Sequence, residues 1–488
     1  MSEQFTPGSM LIGGEWRAAS DGRVLEVEAP GDRSIIGTIP RGGAADVDAA
    51  VRAAAEAFPA WARTTPAERG RMLWRVADLL EARAEEFSRA IARETGNALR
   101  TQARGEVKVA VDALRYFAGV VTELKGQTIP LGDGVLSYTR REPLGVVGAI
   151  IPWNGPVGIA ALKIGPAVGA GNTIVVKAAE DASLCVLLLA ELFAEVFPAG
   201  VVNVITGLGE EAGADLSAHR GVHKLTFTGS TEVGRLVNLA AADRIIPVSL
   251  ELGGKSPFIV YSDVDIEGAV EGVMTGMRFT RQSQSCTAGS RLFLHRGIYD
   301  EFLARLTARV EEYVVGDPLD EATDIGALIN RKQFDRVCGY IRDGLDNAGG
   351  RVLTGGLPPQ DGPLSKGYFT QPTIIANASN EWRLAQEEIF GPVLVAIPWD
   401  DEDEVVRMAN DSHYGLAGYV WTNDLSSALN TAHRLETGWV QINQAGGQAF
   451  GQPYGGYKQS GIGKEYALDG MLDSFTQVKA VTVGLTRR

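Results

Sequence analysis

Cysteine and histidine are scarce in this chain, with three and five among 488 residues. So few cysteines exclude a disulfide scaffold. None of His219, His223, His295, His413 and His433 belongs to an HExxH pattern or pairs closely with a cysteine. Only His219 and His223 stand four apart, and Arg220 and Lys224 beside them repel a cation, so no metal site is expected. Positive charge is also in deficit. Lys and Arg number 46 against 60 Asp and Glu, giving a net charge of −14 without a basic tail. This argues against binding a nucleic-acid backbone. No apolar run approaches the roughly 18 residues of a membrane span. The opening MSEQFTPGSM has neither the basic nor the apolar segment of a secretory signal. The expected compartment is the cytoplasm, with neither membrane nor nucleic acid as partner. There is no fixed-period repeat, no GxSxG elbow and no complete Walker sequence.

Glycine, by contrast, is abundant, at 59 residues against 21 prolines. Such a count suits the tight turns of large α/β enzymes. The length exceeds the roughly 250–300 residues at which single cores stop growing, so two or more domains are expected. Helical spacing marks 44–58, then a helix capped by Thr65 with Pro66 at its first position and ended by Gly96, then 102–122. Period-two or short apolar runs follow at 135–141 and 144–151. Strands at 173–177, 201–205, 224–228 and 246–251 alternate with helices after Pro156, at 183–197 and from Thr231. That alternation predicts a parallel sheet covered on both faces, the architecture of nucleotide-binding domains. A second α/β series begins after 250, with helices near 266–279, 299–313 and 331–347 and a Gly/Pro-rich loop at 349–367.

Among the cysteines, Cys185 lies in the apolar helix SLCVLLLAELF and Cys338 in a helical pattern; both read as packing. Cys286 sits in RQSQSCTAGSR, a polar loop of small residues where a thiolate can be reached. On composition alone, function and simple packing are equally good readings of it. The loose GxGxxA at 207–212 lacks the acid required about 20 residues later and reads as an ordinary turn. Gly229-Ser230-Thr231-Glu232-Val233-Gly234 follows a strand and opens a helix, so its free N–H groups suit an anion, although Ser230 or Thr231 also reads as a plain cap. Glu180, just past TIVVK, suits the ribose hydroxyls of an adenosine, with Lys177 in reach; alone, it is equally a helix-start acid.

Five segments then combine: PWN at 152–154, ELGGKSP at 251–257, QSCTAGSR around Cys286, EEIFGPV at 387–393 and PYGGYKQSGIGKE at 453–465. In order and spacing they resemble the aldehyde dehydrogenase superfamily from about residue 10 to about 485. The resemblance implies a Rossmann-like nucleotide-binding domain (1–122 and 142–250), an α/β catalytic domain (251–445), a return segment (446–470) and a small β oligomerisation arm (123–141 and 471–488). It implies a homodimer or homotetramer. It implies Cys286 as nucleophile, Asn154 with the Cys286 N–H as oxyanion site, Glu251 as the base that activates water, and Lys177 in the same set. The adduct would pass hydride to the nicotinamide and leave a thioester. NAD is the implied cofactor, with NADP left open. Its ligands would be Ile150, Pro152, Trp153, Lys177, Glu180, Gly229, Ser230, Thr231, Gly234, Leu252, Gly253, Glu388 and Phe390, with Glu388 and Phe390 at the nicotinamide ribose.

Several positions depart from the family pattern. Gly155 stands where Phe is frequent, Arg281 and Ser283 replace Asn and Gly, and Ala178 replaces Pro. Gln477 stands where some members carry a Glu used in a proton relay, so that route looks absent and more weight falls on Glu251. The substrate passage is assigned to Gly155, Ile159, Leu162, Ser285, Thr287 and Tyr454, and Gly155 suggests a roomy apolar tunnel for a bulky hydrophobic or aromatic aldehyde. Arg281 keeps a semialdehyde acid as an alternative. A CoA-acylating enzyme is disfavoured by Glu251, and an inactive binding or structural homologue by the intact candidate set.

Overall fold

The structure is a computed structural model that describes residues 9–346, 350–358 and 360–485. Asn347, parts of the expected loop at 349 and 359, and the outer ends of the expected division at 1–8 and 486–488 lie outside the described residues.

The run VVGAI at Val146–Ile150 is buried at every position, as a strand covered on both faces must be. It is central to a parallel set. Thr173–Lys177 and then Val202–Ile205 lie on one side of it, Lys224–Thr228 and then Val248–Glu251 on the other. Antiparallel Met10–Ile12 and Gly461–Ile462 extend the two edges, and Glu15–Arg17 completes eight strands. The chain therefore winds outward from Val146–Ile150 in one direction and returns to wind in the other. The crevice that such a reversal leaves beyond the strands' carboxyl ends is where doubly wound sheets bind ligands. Residues 151–155, Lys177, Gly229 and Glu251 all stand at those ends.

A seven-stranded sheet follows. Thr373–Ala376, Val393–Trp399, Arg291–His295, Pro257–Val260, Ala417–Trp421 and Trp439–Ile442 run parallel, with Arg351–Thr354 antiparallel at one edge. Cys286, Gly253 and Glu388 lie on the segments that enter its strands. Thr476–Gly484 pairs along its length with Val135–Pro143, which also pairs with Thr128–Ile129 in a separate three-stranded sheet. Its exposed apolar residues include Leu136, Val478 and Val483.

Helix starts follow their local signals. Thr65 accepts from the Glu68 N–H while the Glu68 carboxylate accepts from the Thr65 N–H, a closed capping box. One expectation is corrected. The helix expected to run to Gly96 is two, Pro66–Ala82 and Ala84–Thr95, separated at Arg83 (φ −105°, ψ 18°). Leu80 and Phe87 continue one apolar stripe across the break, so periodicity carries no sign of it. The helix expected at 102–122 is preceded by a wide turn at Leu99–Ala103 and spans Arg104–Val120. Gly96 does end its helix, at φ 77°, where a left-handed residue closes the last turn. Among the described residues no helix is long and apolar enough to cross a membrane.

Candidate active site

Cys286 follows a short helical turn at Phe279–Arg281 and precedes the strand Arg291–His295. The turn is held by backbone bonds from Ser283 to Arg278 and from Gln284 to Arg281, both 2.9 Å. Arg278, Gln282 and Ser283 all have positive φ, so the loop coils tightly. Cys286 ends half-buried, with Sγ 3.6 Å from the Tyr454 hydroxyl. Burial pushes its thiol up to about 11; the Tyr454 hydroxyl and Arg281 pull it down, and Glu388 and Glu251 add to the rise. Among the described residues, no acceptor engages the Cys286 N–H. Asn154 reaches the same loop, its amide donating to the Gln284 carbonyl at 2.9 Å. Cys185 and Cys338 are buried in helices, as their surroundings in the sequence imply. Among the described residues no group of three or more His, Cys, Asp or Glu could hold a metal.

Glu251 ends the strand Val248–Glu251 and is buried, and neither carboxylate oxygen has a hydrogen-bond partner among the described residues. Burial holds its carboxyl well above the ordinary range. The charge of Glu465 adds to that rise, and Lys163 and Lys464 oppose it. Sequence reasoning missed this surrounding set. Lys163, fully buried in the helix Pro156–Gly169, makes an ion pair with Glu465. Lys464 donates to the Gly455 carbonyl at 2.7 Å, and a Cβ on Gly455 would stand 2.9 Å from Glu251 Oε1. One signal was readable: Lys163 is the lone charge in PVGIAALKIGPAVG. Gln477, at whose position the relay route looks absent from the sequence, is exposed on the three-stranded sheet, whereas the charge of Glu465 acts on Glu251.

The dinucleotide candidates line the crevice. Lys177 Nζ lies 2.8 Å from the Glu180 carboxylate, with Lys177 buried and Glu180 partly open. Burial alone would raise the Glu180 carboxyl, but Lys177 holds it below its ordinary value. Ser230 caps the helix Thr231–Arg244 by accepting from Val233 at 3.3 Å, which leaves the N–H groups of Thr231 and Glu232 without intrahelical acceptors. Gly229 and Gly234 are needed for close approach. A Cβ on either would stand 2.5 Å from Phe227 or Leu252 respectively. Leu252 is buried, and its N–H donates to the Ser460 carbonyl. Ile150 sits at the strand end beside Lys177 and Phe227. Glu388 accepts from the Gly254 N–H at 2.9 Å, which leaves no room for a side chain on Gly253; burial lifts its carboxyl to about 7. Phe390, at φ 61°, meets Trp153 edge-on at 5.3 Å, and Pro152 is half-buried beside Trp153. A strand-end acid, a helix start with open N–H groups and a glycine-lined approach fit a dinucleotide.

Of the passage candidates, Tyr454 stands at Cys286, and Ile159 lies beside Gly155. Ser285 and Thr287 are buried and bonded to each other at 3.1 Å, and Leu162 is packed into the helical core. Tyr454 opens an aromatic series that runs through Tyr466 (5.3 Å) and Phe450 (5.5 Å) to Tyr116 (5.6 Å). The space over Gly155 is filled. A Cβ there would stand 2.6 Å from Arg281 Nη2, so the guanidinium occupies the place of a side chain. Arg281 donates to the Asn154 carbonyl from Nε (3.1 Å) and Nη2 (2.7 Å). The roomy apolar opening expected from Gly155 is therefore closed on that side by a cation.

A reversal crevice with a thiol-bearing loop beside it is the layout of a nucleotide-binding enzyme with a candidate cysteine nucleophile. The sequence profile of the Aldehyde dehydrogenase family matches residues 16–481. A hydroxyisobutyraldehyde dehydrogenase of Mycolicibacterium austroafricanum is 45% identical over 481 residues, spanning 98% of this chain and 94% of that one. The crystal structure of PnpE from Pseudomonas sp. WBC-3 superposes with a TM-score of 0.96 at 40% identity, covering 99% of both chains. An NAD+ complex of an aldehyde dehydrogenase from Bacillus cereus superposes with a TM-score of 0.95 at 39% identity, covering 99% of this chain and 98% of that one. The chain belongs to the aldehyde dehydrogenase family. It has that family's fold and is an aldehyde-oxidising enzyme.

Proposed function

We propose that the enzyme oxidises an aldehyde to its carboxylic acid with NAD through a thioester on Cys286. Cys286 Sγ adds to the carbonyl carbon, and the Asn154 amide with the Cys286 N–H stabilises the oxygen as it gains charge. Lys177, Glu180, the helix start at Gly229–Gly234, Glu388 and Phe390 would hold NAD, which would supply a two-electron oxidant able to accept hydride. Glu251 then takes a proton from the water that attacks the thioester carbonyl, which releases the acid and restores the thiol. Glu465 and Lys163 set the charge against which Glu251 gains and loses that proton. The observation that carries this reading is a pairing: a half-buried thiol on a tightly coiled loop, acted on by the charge of a buried carboxylate whose two oxygens have no hydrogen-bond partner among the described residues.

The substrate's body lies against the aromatic series from Tyr454 to Tyr116, which supports a bulky or aromatic aldehyde. A second reading, an aldehyde that also carries an acid group, is favoured by Arg281 over Gly155. The same proposal assigns 1–122 with 142–250 to cofactor binding, 251–445 to substrate chemistry, 446–470 to the return segment and 123–141 with 471–488 to subunit assembly in the cytoplasm. Formation of NADH at 340 nm is the test, with neutral, aromatic and acidic aldehydes and with NADP and CoA as variables. Turnover with NAD and without CoA, lost in Cys286→Ala, is expected. Turnover that survives Cys286→Ala, or that requires CoA, would overturn the mechanism.

A further inference from the structure

We propose that Arg281 is a specificity-determining residue that receives a carboxylate carried by the aldehyde at a distance from its reacting carbonyl. The inference rests on Cys286 being the nucleophile and adds to it the class of substrate. Four observations converge. Gly155 has an extended φ of −162°, which any residue adopts, so the backbone does not require glycine there. What excludes a side chain is Arg281 Nη2, 2.6 Å from the Cβ position. The sequence thus gives up a wall residue at 155, and a cation fills its place. Arg281 is also held rigidly: Nε and Nη2 both bond the Asn154 carbonyl, and Asn154 in turn bonds Gln284, two residues before Cys286. A guanidinium fixed along one edge keeps Nη1 and the outer side of Nη2 as a preorganised fork, the geometry that matches a carboxylate.

The cation is only partly matched by the protein. Glu106 stands beside it, with Oε2 3.8 Å from Nη2, an ion pair beyond hydrogen-bonding range; Glu106 Oε1 accepts from the N–H groups of Val157 and Gly158, and Oε2 has no hydrogen-bond partner among the described residues. Arg281 also acts on the reacting centre, since its charge reaches both the Cys286 thiol and the Tyr466 phenol. A half-buried cation whose Nη1 is unengaged among the described residues, and whose charge reaches the Cys286 thiol, suits an anionic oxygen pair on the substrate. A purely apolar aldehyde would leave that fork without an acceptor.

The test compares matched aldehydes on the NAD-loaded enzyme: 4-carboxybenzaldehyde with benzaldehyde, and 4-oxobutanoate with butanal. The readout is the ratio of kcat/KM within each pair, in the wild type, Arg281→Met and Arg281→Lys. A ratio cancels whatever the loss of the Asn154 latch does to both members. The wild type should favour the carboxylate-bearing member by roughly 10- to 100-fold, as expected for a charged hydrogen bond. Arg281→Met should bring the ratio close to one, chiefly through KM, and Arg281→Lys should keep part of it. Salt should raise the wild-type KM for the anionic member alone, a measurement that needs no variant. Equal ratios in wild type and Arg281→Met, or no wild-type preference, would overturn the proposal and leave the Cys286 mechanism standing. Turnover of neither member would remove both.

Discussion

Glu251→Gln separates what this carboxylate does for chemistry from what it does to stability. On the proposed mechanism, Gln cannot take a proton from water, so thioester hydrolysis slows while acylation proceeds. A positioned general base contributes about 10²- to 10⁴-fold, or about 3–5 kcal/mol of barrier. Rapid mixing should therefore show a burst of one NADH per active subunit, followed by a steady state slower by about that factor. The stability effect has the opposite sign. The folded protein holds the Glu251 proton far above the ordinary value of 4.5, because the carboxyl is buried, unpartnered and beside Glu465. Above pH 4.5 the unfolded chain ionises this residue freely and the folded chain does not, so folding stability falls as pH rises toward the folded-state value. The fall is about 1.4 kcal/mol for every tenfold change in proton concentration across that interval. Glutamine removes the titration. The melting temperature of Glu251→Gln minus that of the wild type should therefore grow more positive from pH 5 to pH 8. Both observables come from the same two samples. A variant with no burst and an unchanged steady state would refute the catalytic role. A temperature difference that is flat with pH, or that falls, would refute the reading of a buried and unpaired carboxyl.

Three further outcomes follow from named contacts. Lys163→Met removes the cation from its buried pair with Glu465 and should cost about 3–5 kcal/mol in denaturant unfolding; because Lys163 also pulls the Glu251 carboxyl down, the rise of kcat with pH should move to higher pH. Ser283→Gly should stabilise by about 1–2 kcal/mol, since Ser283 has φ 50° and a buried hydroxyl with no partner, and glycine relieves both; an unchanged unfolding midpoint would count against strain in the loop. Val478→Asp with Val483→Asp places charges on the exposed three-stranded sheet and should shift the solution mass toward the 52.0 kDa chain; a wild type that already runs at that mass would remove the assembly role of the arm.

The parts of the fold legible in the sequence were those with local causes. Val146–Ile150 and Thr173–Lys177 are short β-branched runs that can be satisfied only inside a covered sheet, and Thr65 and Gly96 carry their own capping chemistry. The break at Arg83 was not legible, because the apolar stripe runs through it from Leu80 to Phe87. Cys286 stood out from Cys185 and Cys338 because small polar neighbours cannot bury a thiol in a helix core. The groups that tune the candidate site lie far apart along the chain. Lys163 meets Glu465 across 302 positions, and Arg281 meets Asn154 across 127. Gly155 alone announces a missing side chain. Only the folded chain can say that a cation occupies the space and closes the expected apolar opening on that side.

That exchange bears on how the site rests between turnovers. Burial pushes the Cys286 thiol up to about 11 and the Glu251 carboxyl well above its ordinary range. Were both ionised in this setting, a thiolate and a carboxylate would repel across a poorly solvated gap, in addition to the charge on Glu388 that already acts on the thiol. Raising both affinities for the proton lessens that repulsion, and a thiol raised to about 11 is seldom ionised at neutral pH. Arg281 is a cation that pulls the thiol's proton affinity down. An anionic substrate seated on Arg281 would neutralise that pull as it binds. On the proposed mechanism the gain from the carboxylate should therefore appear in KM, and kcat for anionic aldehydes should not exceed that for neutral ones. A higher kcat for the anionic member of each pair would show that the guanidinium does not act on the thiol and the substrate at once.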